Sequence, residues 1–499
     1  MKKINNIKLF LLAFILGFQG CQLESEVYDA INPTIFPKNE EDVKALVTSD
    51  AYGVFRNDGY EGMFNIATGV LLVSDLMSDY GDCSWRGWAP IMYGRWLVGN
   101  SYNDNHWRWQ NWLSKMTMTI DRIEAVSIDE NKKAHYIAEL RCGRGWLAFC
   151  MYDLYGPIPI ADLETLKNPL EEKIVPRLTE EEMKSYIETE LKAAAEVLPY
   201  SYKKGDQDYG RFTKGLANTV LLKFYMMTKQ WDKAEMMGRE LTKPEYGYEL
   251  VSVYKDIFTL ANEKNAETIW AVNCIPGYQE HKWHPHVLPN DYPTDPGNVV
   301  KWNGWKITWA FFHSFEEGDQ RLETIISEYT GTGGLHHSEA EDVPSGEKLQ
   351  YGAVPFKYEI DKATTGENNQ IDWIIYRYAD VLTLFSEAIV RNGNVVTQEA
   401  VDLLNRVRIR AGLPAYTMQS FSNVQDFLDK LIMERGHELY FEGCRRQDLI
   451  RHGVYVDAIK SKCSALGETT LINKNYERIP LPQSVIDEGK GLIEQNPGY

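Results

Sequence analysis

Apolar residues recur at helical spacing along most of this 499-residue chain. Near the start, Val43, Leu46, Val47, Ala51 and Phe55 would share one face of a helix. The spacing therefore predicts a helix over residues 39–55. The same pattern predicts further helices over residues 109–125, 134–155, 179–198, 210–227, 231–241, 373–392, 399–410 and from residue 422 onward.

Two of these helices begin at a sequence that is typical of a capping box. Thr179 is followed three residues later by Glu182, and Ser422 is followed by Gln425. In such a box the hydroxyl accepts a backbone N–H of the first turn, and the longer side chain reaches back to the cap. Both pairs are expected to mark helix starts.

Short connections join some of the helices into pairs. Residues 210–227 pair with 231–241 through a short turn, and residues 373–392 pair with 399–410. This arrangement resembles tetratricopeptide repeats, in which stacked helix pairs bury one another's apolar faces. The expected fold is mainly α, with a scaffold of such pairs.

Strand signals are few in this sequence. Glu267–Val272 alternates apolar and polar positions, which predicts one short strand. Residues 275–305 and 329–370 are rich in Pro, Gly, Asn and His, which predicts loops. Long loops in a compact protein are often functional, so a less regular, loop-rich ligand-binding region is expected beside the scaffold.

A stripe of like charge stands out near the C-terminus. Glu434, Glu438 and Glu442 recur every fourth residue, which is destabilising on a helix unless cations face them. Arg406 and Arg410, on the preceding helix, have the same spacing. We expect Arg–Glu pairs to join the two helices, with a structural role.

Four segments, in this order, resemble the SusD/RagB family. They are Arg377–Ala388, Leu404–Leu413, Glu434–Gly443 and Gln495–Tyr499. Members of this family are surface lipoproteins of Bacteroidetes that bind glycans, sometimes peptides, beside a TonB-dependent transporter. The resemblance implies four repeat-like helix pairs, with a less regular region mounted against them.

The resemblance also suggests how the chain is organised. Residues 1–20 would be a lipoprotein signal peptide, and residues 21–499 a single SusD-like unit. Within that unit we expect an N-terminal part with repeat-like helix pairs, an irregular aromatic-rich insert and a C-terminal helical part. These parts would span residues 21–260, 261–370 and 371–499.

The N-terminus indicates export and lipidation. Lys2 and Lys3 precede the short apolar run Leu9–Phe18, which is too short to span a bilayer, and Gly20-Cys21 follows. We expect lipidation of Cys21 and anchoring in the outer membrane, facing the exterior. The alternative is an ordinary cleaved signal whose cysteine is incidental.

The charge and the cysteine and histidine patterns disfavour some classes of binding site. The net charge is −18, and removal of residues 1–20 would make it −21, which disfavours nucleic-acid binding. The six remaining cysteines form no CxxC pair, and their disulfide state is left open. His281, His284 and His286 lack the spacing of a zinc site, so no metal or other cofactor is expected.

Ten of the fourteen tryptophans fall in two windows, residues 85–112 and 283–309. A sugar ring has an apolar C–H face that stacks on an aromatic plane, and its hydroxyl groups need polar partners. In the family, ligand contacts come from the segment after the first helix and from the central insert, where both windows lie. The predicted ligand-binding residues are Trp85, Trp88, Trp283, Trp302, Trp305, Asp82, Arg86, Tyr292 and Asn303.

Loop packing is an equal alternative for these tryptophans, since Trp is often buried.

A glycoside hydrolase would need two carboxylates across a cleft, and the cluster Glu316, Glu317 and Asp319 is equally well explained as an acidic surface. No catalytic motif is present, so an enzyme is not expected.

The expected function is capture of oligosaccharides or polysaccharides and their delivery to a SusC-like TonB-dependent transporter. A peptide-binding protein or a pure interaction scaffold of the same family is the alternative.

Overall fold

The structure, a computed structural model, describes residues 36–57, 62–99, 101–339, 348–363 and 366–499. The predicted signal peptide and Cys21 lie outside these residues. Within them, no helix combines the length and the apolar character needed to cross a bilayer. In chain order the helices are α1 (Glu40–Tyr52), α2 (Val70–Leu76), α3 (Ala89–Met92), α4 (Ser101–Trp107), α5 (Asn111–Glu124), α6 (Glu130–Tyr155), α7 (Leu163–Lys167), α8 (Glu180–Val197), α9 (Lys214–Met227), α10 (Trp231–Leu241), α11 (Trp283–Val287), α12 (Trp309–Phe312), α13 (Tyr378–Gly393), α14 (Gln398–Arg410), α15 (Val424–Leu439), α16 (Arg445–Arg451), α17 (Tyr455–Ala465) and α18 (Gln483–Glu488).

The strands are short and form antiparallel pairs. They are β1 (Gly81–Cys83), β2 (Thr268–Val272), β3 (Trp305–Ile307), β4 (Ile325–Ile326), β5 (Glu328–Thr330), β6 (His336–Ser338), β7 (Val354–Pro355) and β8 (Trp373–Arg377). The pairs are β1 with β3, β2 with β8, β4 with β7, and β5 with β6. Two of them join distant parts of the chain, because β1 meets β3 and β2 meets β8 across more than 100 residues.

Helices packed in pairs form most of the scaffold. Helix α6 packs against α8, α5 and α1, and the pair α9–α10 packs against the pair α13–α14 through α10 and α13. The predicted mainly α, tetratricopeptide-like scaffold is confirmed.

An aromatic cluster lies at the centre of the core. Phe55 stacks on Trp146 of α6 with ring centroids 4.4 Å apart, and Trp270 of β2 meets Trp146 edge-on at 5.0 Å. The Trp146 indole N–H donates to the Tyr376 hydroxyl of β8 at 3.0 Å. The cluster therefore ties α6 to the β2–β8 pair.

One predicted capping box is confirmed and the other is wrong. The Glu182 N–H donates to Thr179 Oγ1 at 3.2 Å, and the Thr179 N–H donates to Glu182 Oε2 at 2.8 Å. Helix α15 is instead capped by Asn423, whose side-chain oxygen accepts the backbone N–H of Asp426 at 3.0 Å. Ser422 is one residue too early because its own N–H and hydroxyl donate to the Asp426 carboxylate.

The helix predicted over residues 373–392 begins five residues later. Trp373–Arg377 forms strand β8, and helix α13 starts at Tyr378. The segment Trp-Ile-Ile-Tyr-Arg carries aromatic and β-branched residues that suit a strand, and pairing with β2 decides its conformation.

The three glutamates face arginines, as predicted, although the helix ends at Leu439, before Glu442, and the set of arginines differs. Arg410 pairs with Glu438, and Arg408 Nη1 lies 3.1 Å from Glu434 Oε2. The prediction for Arg406 is wrong, because this exposed side chain lies one turn earlier on α14, over the Tyr378 ring.

Further arginines from outside α14 complete this network. Arg377 Nη1 lies 2.5 Å from Glu438 Oε1, and Arg377 Nε lies 2.7 Å from Glu442 Oε2. Arg321 Nη1 lies 2.6 Å from Glu434 Oε1. Burial by itself would raise the pKa of Glu438, but the charges of Arg410, Arg377 and Arg321 lower it to about 2.

Replacement of Glu438 by Gln is expected to destabilise the fold by about 3–5 kcal/mol, because it leaves buried guanidinium groups without their full counter-charge. The free energy of unfolding is measured by urea denaturation at pH 7. The matched control is Glu399→Gln, which removes an exposed pair with Arg239 at 2.8 Å and should cost about 0–1 kcal/mol. Equal effects of the two changes would contradict the structural importance of the buried network.

Candidate functional site

The two tryptophan windows meet in the folded protein. Strand β1 places Cys83 opposite Trp305 of β3. Two residues further on, the Trp85 indole N–H donates to the backbone carbonyl of Trp302 at 3.1 Å. Residues that are 217 positions apart in the chain thus form one local structure.

Three of the predicted platform tryptophans are buried. Trp283 and Trp305 have no exposed surface, and Trp88 is 6% exposed. Trp283 packs on Trp373, with centroids 5.5 Å apart, and Trp305 meets Trp85 edge-on at 5.2 Å. For these three rings the packing alternative holds, because β1–β3 pairing and helix α11 direct them inward.

Asp82 and Arg86 lie beside this aromatic layer and bind each other. Asp82 is buried, and Arg86 Nη1 lies 3.1 Å from Asp82 Oδ1. Arg86 also pairs with Glu468 at 2.7 Å and lies over the Tyr351 ring. Arg86 is therefore committed to partners within the protein, and Asp82 is closed to solvent.

Tyr292 and Asn303 occupy different positions. Tyr292 packs edge-on against Tyr329 with centroids 5.1 Å apart. Asn303, directly after Trp302, adopts a left-handed backbone conformation with φ of 56°. Its backbone N–H donates to the Leu288 carbonyl at 2.9 Å.

Trp302 is the predicted ring that borders an open cavity. The ring is half-buried, and the Lys282 ammonium lies 5.9 Å from its centroid. We call this cavity, of about 80 Å³, the Trp302 cleft. Its lining includes Asn57, Ile66, Glu280, Lys282, His286 and Trp302.

Asn57 adds an unsatisfied polar group to the Trp302 cleft. The side chain is 4% exposed, and its amide oxygen has no hydrogen-bond partner within the described part of the chain. Buried polar atoms are normally paired, so this oxygen is an unmet hydrogen-bond acceptor in the wall of the cavity. The cleft thus combines an aromatic ring, the Lys282 ammonium paired with Glu367 at 2.5 Å, the Glu280 carboxylate and the unpaired amide oxygen.

The three histidines of the insert serve the fold. His284 Nε2–H donates to the Tyr358 carbonyl at 2.9 Å, and His286 Nδ1–H donates to the Lys282 carbonyl at 2.7 Å. Burial lowers the pKa of His281 to about 3 and the pKa values of His284 and His286 to about 4, so all three are neutral at pH 7. Among the described residues, no group of three His, Cys, Asp or Glu side chains could hold a metal ion.

A larger cavity, of about 480 Å³, lies next to the Trp302 cleft and was missed by the sequence analysis. We call it the Trp112 groove. Trp112 is not among the predicted ligand-binding residues, yet its ring is half-buried and borders this cavity. The sequence feature that could have indicated this cavity is the polar residue Asn273, directly after strand β2. The lining includes Tyr52, Trp112, Tyr209, Arg211, Asn273 and Gln279.

Sequence comparison places the C-terminal part in a known family. Residues 300–499 match the model of the SusD family. A SusD-like protein of Bacteroides ovatus is 24% identical over 370 residues, which cover 68% of this chain and 64% of that protein, just under two thirds of its length. The starch-binding protein SusD of Bacteroides thetaiotaomicron is 22% identical, with 78% of this chain and 76% of that protein covered.

Solved structures show the same fold. The surface glycan-binding protein A of Bacteroides fluxus superimposes with a TM-score of 0.75 at 20% identity, covering 93% of this chain and 100% of that chain. The surface glycan-binding protein A of Bacteroides thetaiotaomicron, in complex with laminarihexaose, gives 0.73 at 20% identity, covering 92% and 100%.

The predicted relationship to the SusD/RagB family is thereby confirmed. The chain is SusD-like in sequence through its C-terminal part and SusD-like in fold through the described residues.

Proposed function

We propose that this protein captures glycans at the cell surface and releases them unaltered, with the Trp302 cleft as its binding site. The observation that carries the proposal is a half-buried indole beside the unpaired amide oxygen of Asn57. The names of the relatives support the ligand class, since one is a starch-binding protein and another was solved with laminarihexaose.

The chemistry of the Trp302 cleft suits a sugar. The indole face can cover the apolar C–H face of one ring, and polar groups of Asn57, Glu280 and Lys282, the last paired with Glu367, line the same cavity. The Trp85 indole N–H donates to the Trp302 backbone carbonyl. The Trp305 ring packs against Trp85, and the His286 ring packs against Trp302. Trp305, which has no exposed surface, therefore acts as a positioning group rather than as a contact.

The cleft does not support hydrolysis. Glycosidases place two carboxylates about 5–10 Å apart across the scissile bond. Among the described residues that line the Trp302 cleft, Glu280 is the one carboxylate. Binding without turnover is the function that this arrangement supports.

Trp302→Ala is expected to weaken glycan binding about tenfold or more, since stacking on an aromatic platform is worth roughly 1–3 kcal/mol in other ligand classes. Retention on polyacrylamide gels that contain laminarin, starch, xylan, mannan or pectin identifies the ligand, and calorimetry measures the affinity. The matched control is Trp231→Ala, a half-buried indole on α10 that lies over Arg391. Unchanged affinity in Trp302→Ala would show that the cleft is not the binding site. New reducing ends in the polysaccharide would show that the protein cleaves its ligand, which contradicts binding without turnover.

We also propose an anchor in the outer membrane through Cys21, followed by a single unit over residues 21–499. The support is the charged and apolar N-terminal sequence that ends in Gly20-Cys21. Several acyl chains give a firm anchor where one chain gives marginal binding.

Cys21→Ala should move the full-length protein from the membrane fraction to the soluble fraction, because the acylation site is lost. Fractionation and metabolic labelling with a palmitate analogue measure the two effects, and Cys274→Ala serves as a cysteine control. Continued labelling and sedimentation of Cys21→Ala would refute this assignment.

Delivery to a SusC-like TonB-dependent transporter completes the proposed function. A capturing protein must hold its ligand and still release it. A Kd near micromolar suits this role, and it corresponds to a binding free energy of about −8 kcal/mol. The large helical surface and the family relationship support such a partner.

A tag on the C-terminus should therefore co-purify a large outer-membrane protein after extraction in mild detergent. Mass spectrometry identifies it, and an unrelated lipoprotein with the same tag controls for carry-over. Recovery of this protein alone, under conditions that keep other outer-membrane complexes intact, would contradict delivery to a transporter while leaving glycan binding in place.

A further inference from the structure

The Trp112 groove has the size and the walls of a ligand site. Its volume of about 480 Å³ falls within the range of typical small-molecule pockets, about 300–1,000 Å³. Tyr52, Trp112 and Tyr209 are half-buried and contribute aromatic surface. Pockets of this kind bind through apolar walls and a few placed polar groups.

The aromatic walls are held in place by the core behind them. The Tyr52 ring lies 4.1 Å from the Phe212 ring, measured between centroids, and its hydroxyl donates to Glu139 at 2.8 Å. The Trp112 ring lies against Gly53, where any Cβ would come within 2.3 Å of it. Gly53 is thus a close-approach position that sets the depth of Trp112.

The polar groups of the Trp112 groove suit an uncharged ligand. Arg211 is neutralised by Glu139, with Nε 2.9 Å from Oε1 and Nη2 2.7 Å from Oε2. Asn273 donates its amide N–H to the Tyr209 carbonyl at 3.4 Å, while its amide oxygen has no partner among the described residues. Aromatic rings, a compensated Arg211 and the unpaired Asn273 oxygen in the wall together suit a polyhydroxylated, neutral molecule.

The groove shares a wall with the Trp302 cleft. Arg56 and Gln279 line the groove, and the next residues, Asn57 and Glu280, line the cleft. Consecutive Cα atoms are about 3.8 Å apart, so the two cavities lie on either side of one layer of chain. The turn that Ile275 and Gln279 close by antiparallel pairing adjoins this wall. Tyr278, within that turn, is 89% exposed.

We propose that the Trp112 groove is a second saccharide subsite, so that one neutral glycan chain crosses the wall and occupies both cavities. The proposal rests on glycan binding at the Trp302 cleft and extends it from one sugar contact to a chain of several units. Linked contacts strengthen each other because the second one forms at a high effective concentration. Long chains should therefore bind more tightly than short ones.

The test uses the full mature chain and the polysaccharide retained in the gel experiment, with laminarin as the first long probe and its single sugar unit, glucose, as the short one. Trp112→Ala and Asn273→Ala should each weaken binding of the polysaccharide about tenfold, and Trp112→Ala combined with Trp302→Ala should weaken it about 100-fold. Asn273→Ala removes an amide without opening the core, which guards against misfolding of the Trp112 variant. Trp231→Ala again controls for loss of an indole.

The outcomes separate the two sites. Loss of affinity in Trp302→Ala with no change in Trp112→Ala and Asn273→Ala would overturn the second subsite and leave the Trp302 cleft as the binding site. Loss in the groove variants alone would support the groove and overturn the cleft. Equal affinity of the wild type for the long and the short probe would overturn simultaneous occupation of both cavities.

Discussion

The buried contact between the glutamates on and just after α15 and the surrounding arginines is the interaction on which the rest of the structure depends. Glu438 accepts from Arg377 of β8 and from Arg410 of α14, and Glu267 accepts from the same two arginines at 2.7 and 3.0 Å. Desolvation of so many charges is costly, so the arrangement is stable only when every partner is present. The network therefore fixes α14, α15 and the β2–β8 pair relative to one another.

Both cavities follow from that constraint. Strand β2 runs directly into Asn273, and the chain then continues to Lys282. Residues of this segment line both the groove and the cleft. On the other side, α1 runs into Arg56 and Asn57, which form the opposite part of the shared wall. A surface loop is precise enough to bind a ligand when rigid elements hold both of its ends.

The tryptophans divide into those that build the site and those that can contact a ligand. Trp305 and Trp283 fill the interior, where large rings provide much of the burial, and Trp305 packs against Trp85 and His286 beside Trp302. Trp302 and Trp112 keep part of a ring at a cavity. The aromatic content of the two windows thus reflects packing first and recognition second.

The sequence by itself determined nine of the longer helices, one capping box, the strand β2, the charge stripe and the SusD-like relationship, because these depend on local spacing and on motifs. It also located the two windows that meet at the cleft. Only the tertiary structure decided that Arg408 replaces Arg406 in the network, that residues 373–377 form a strand, and which rings are accessible. The reason is physical: an indole in a turn-rich segment is buried or exposed according to what packs on it, and here the partner of Trp305 lies some 220 residues away at Trp85 and Trp88.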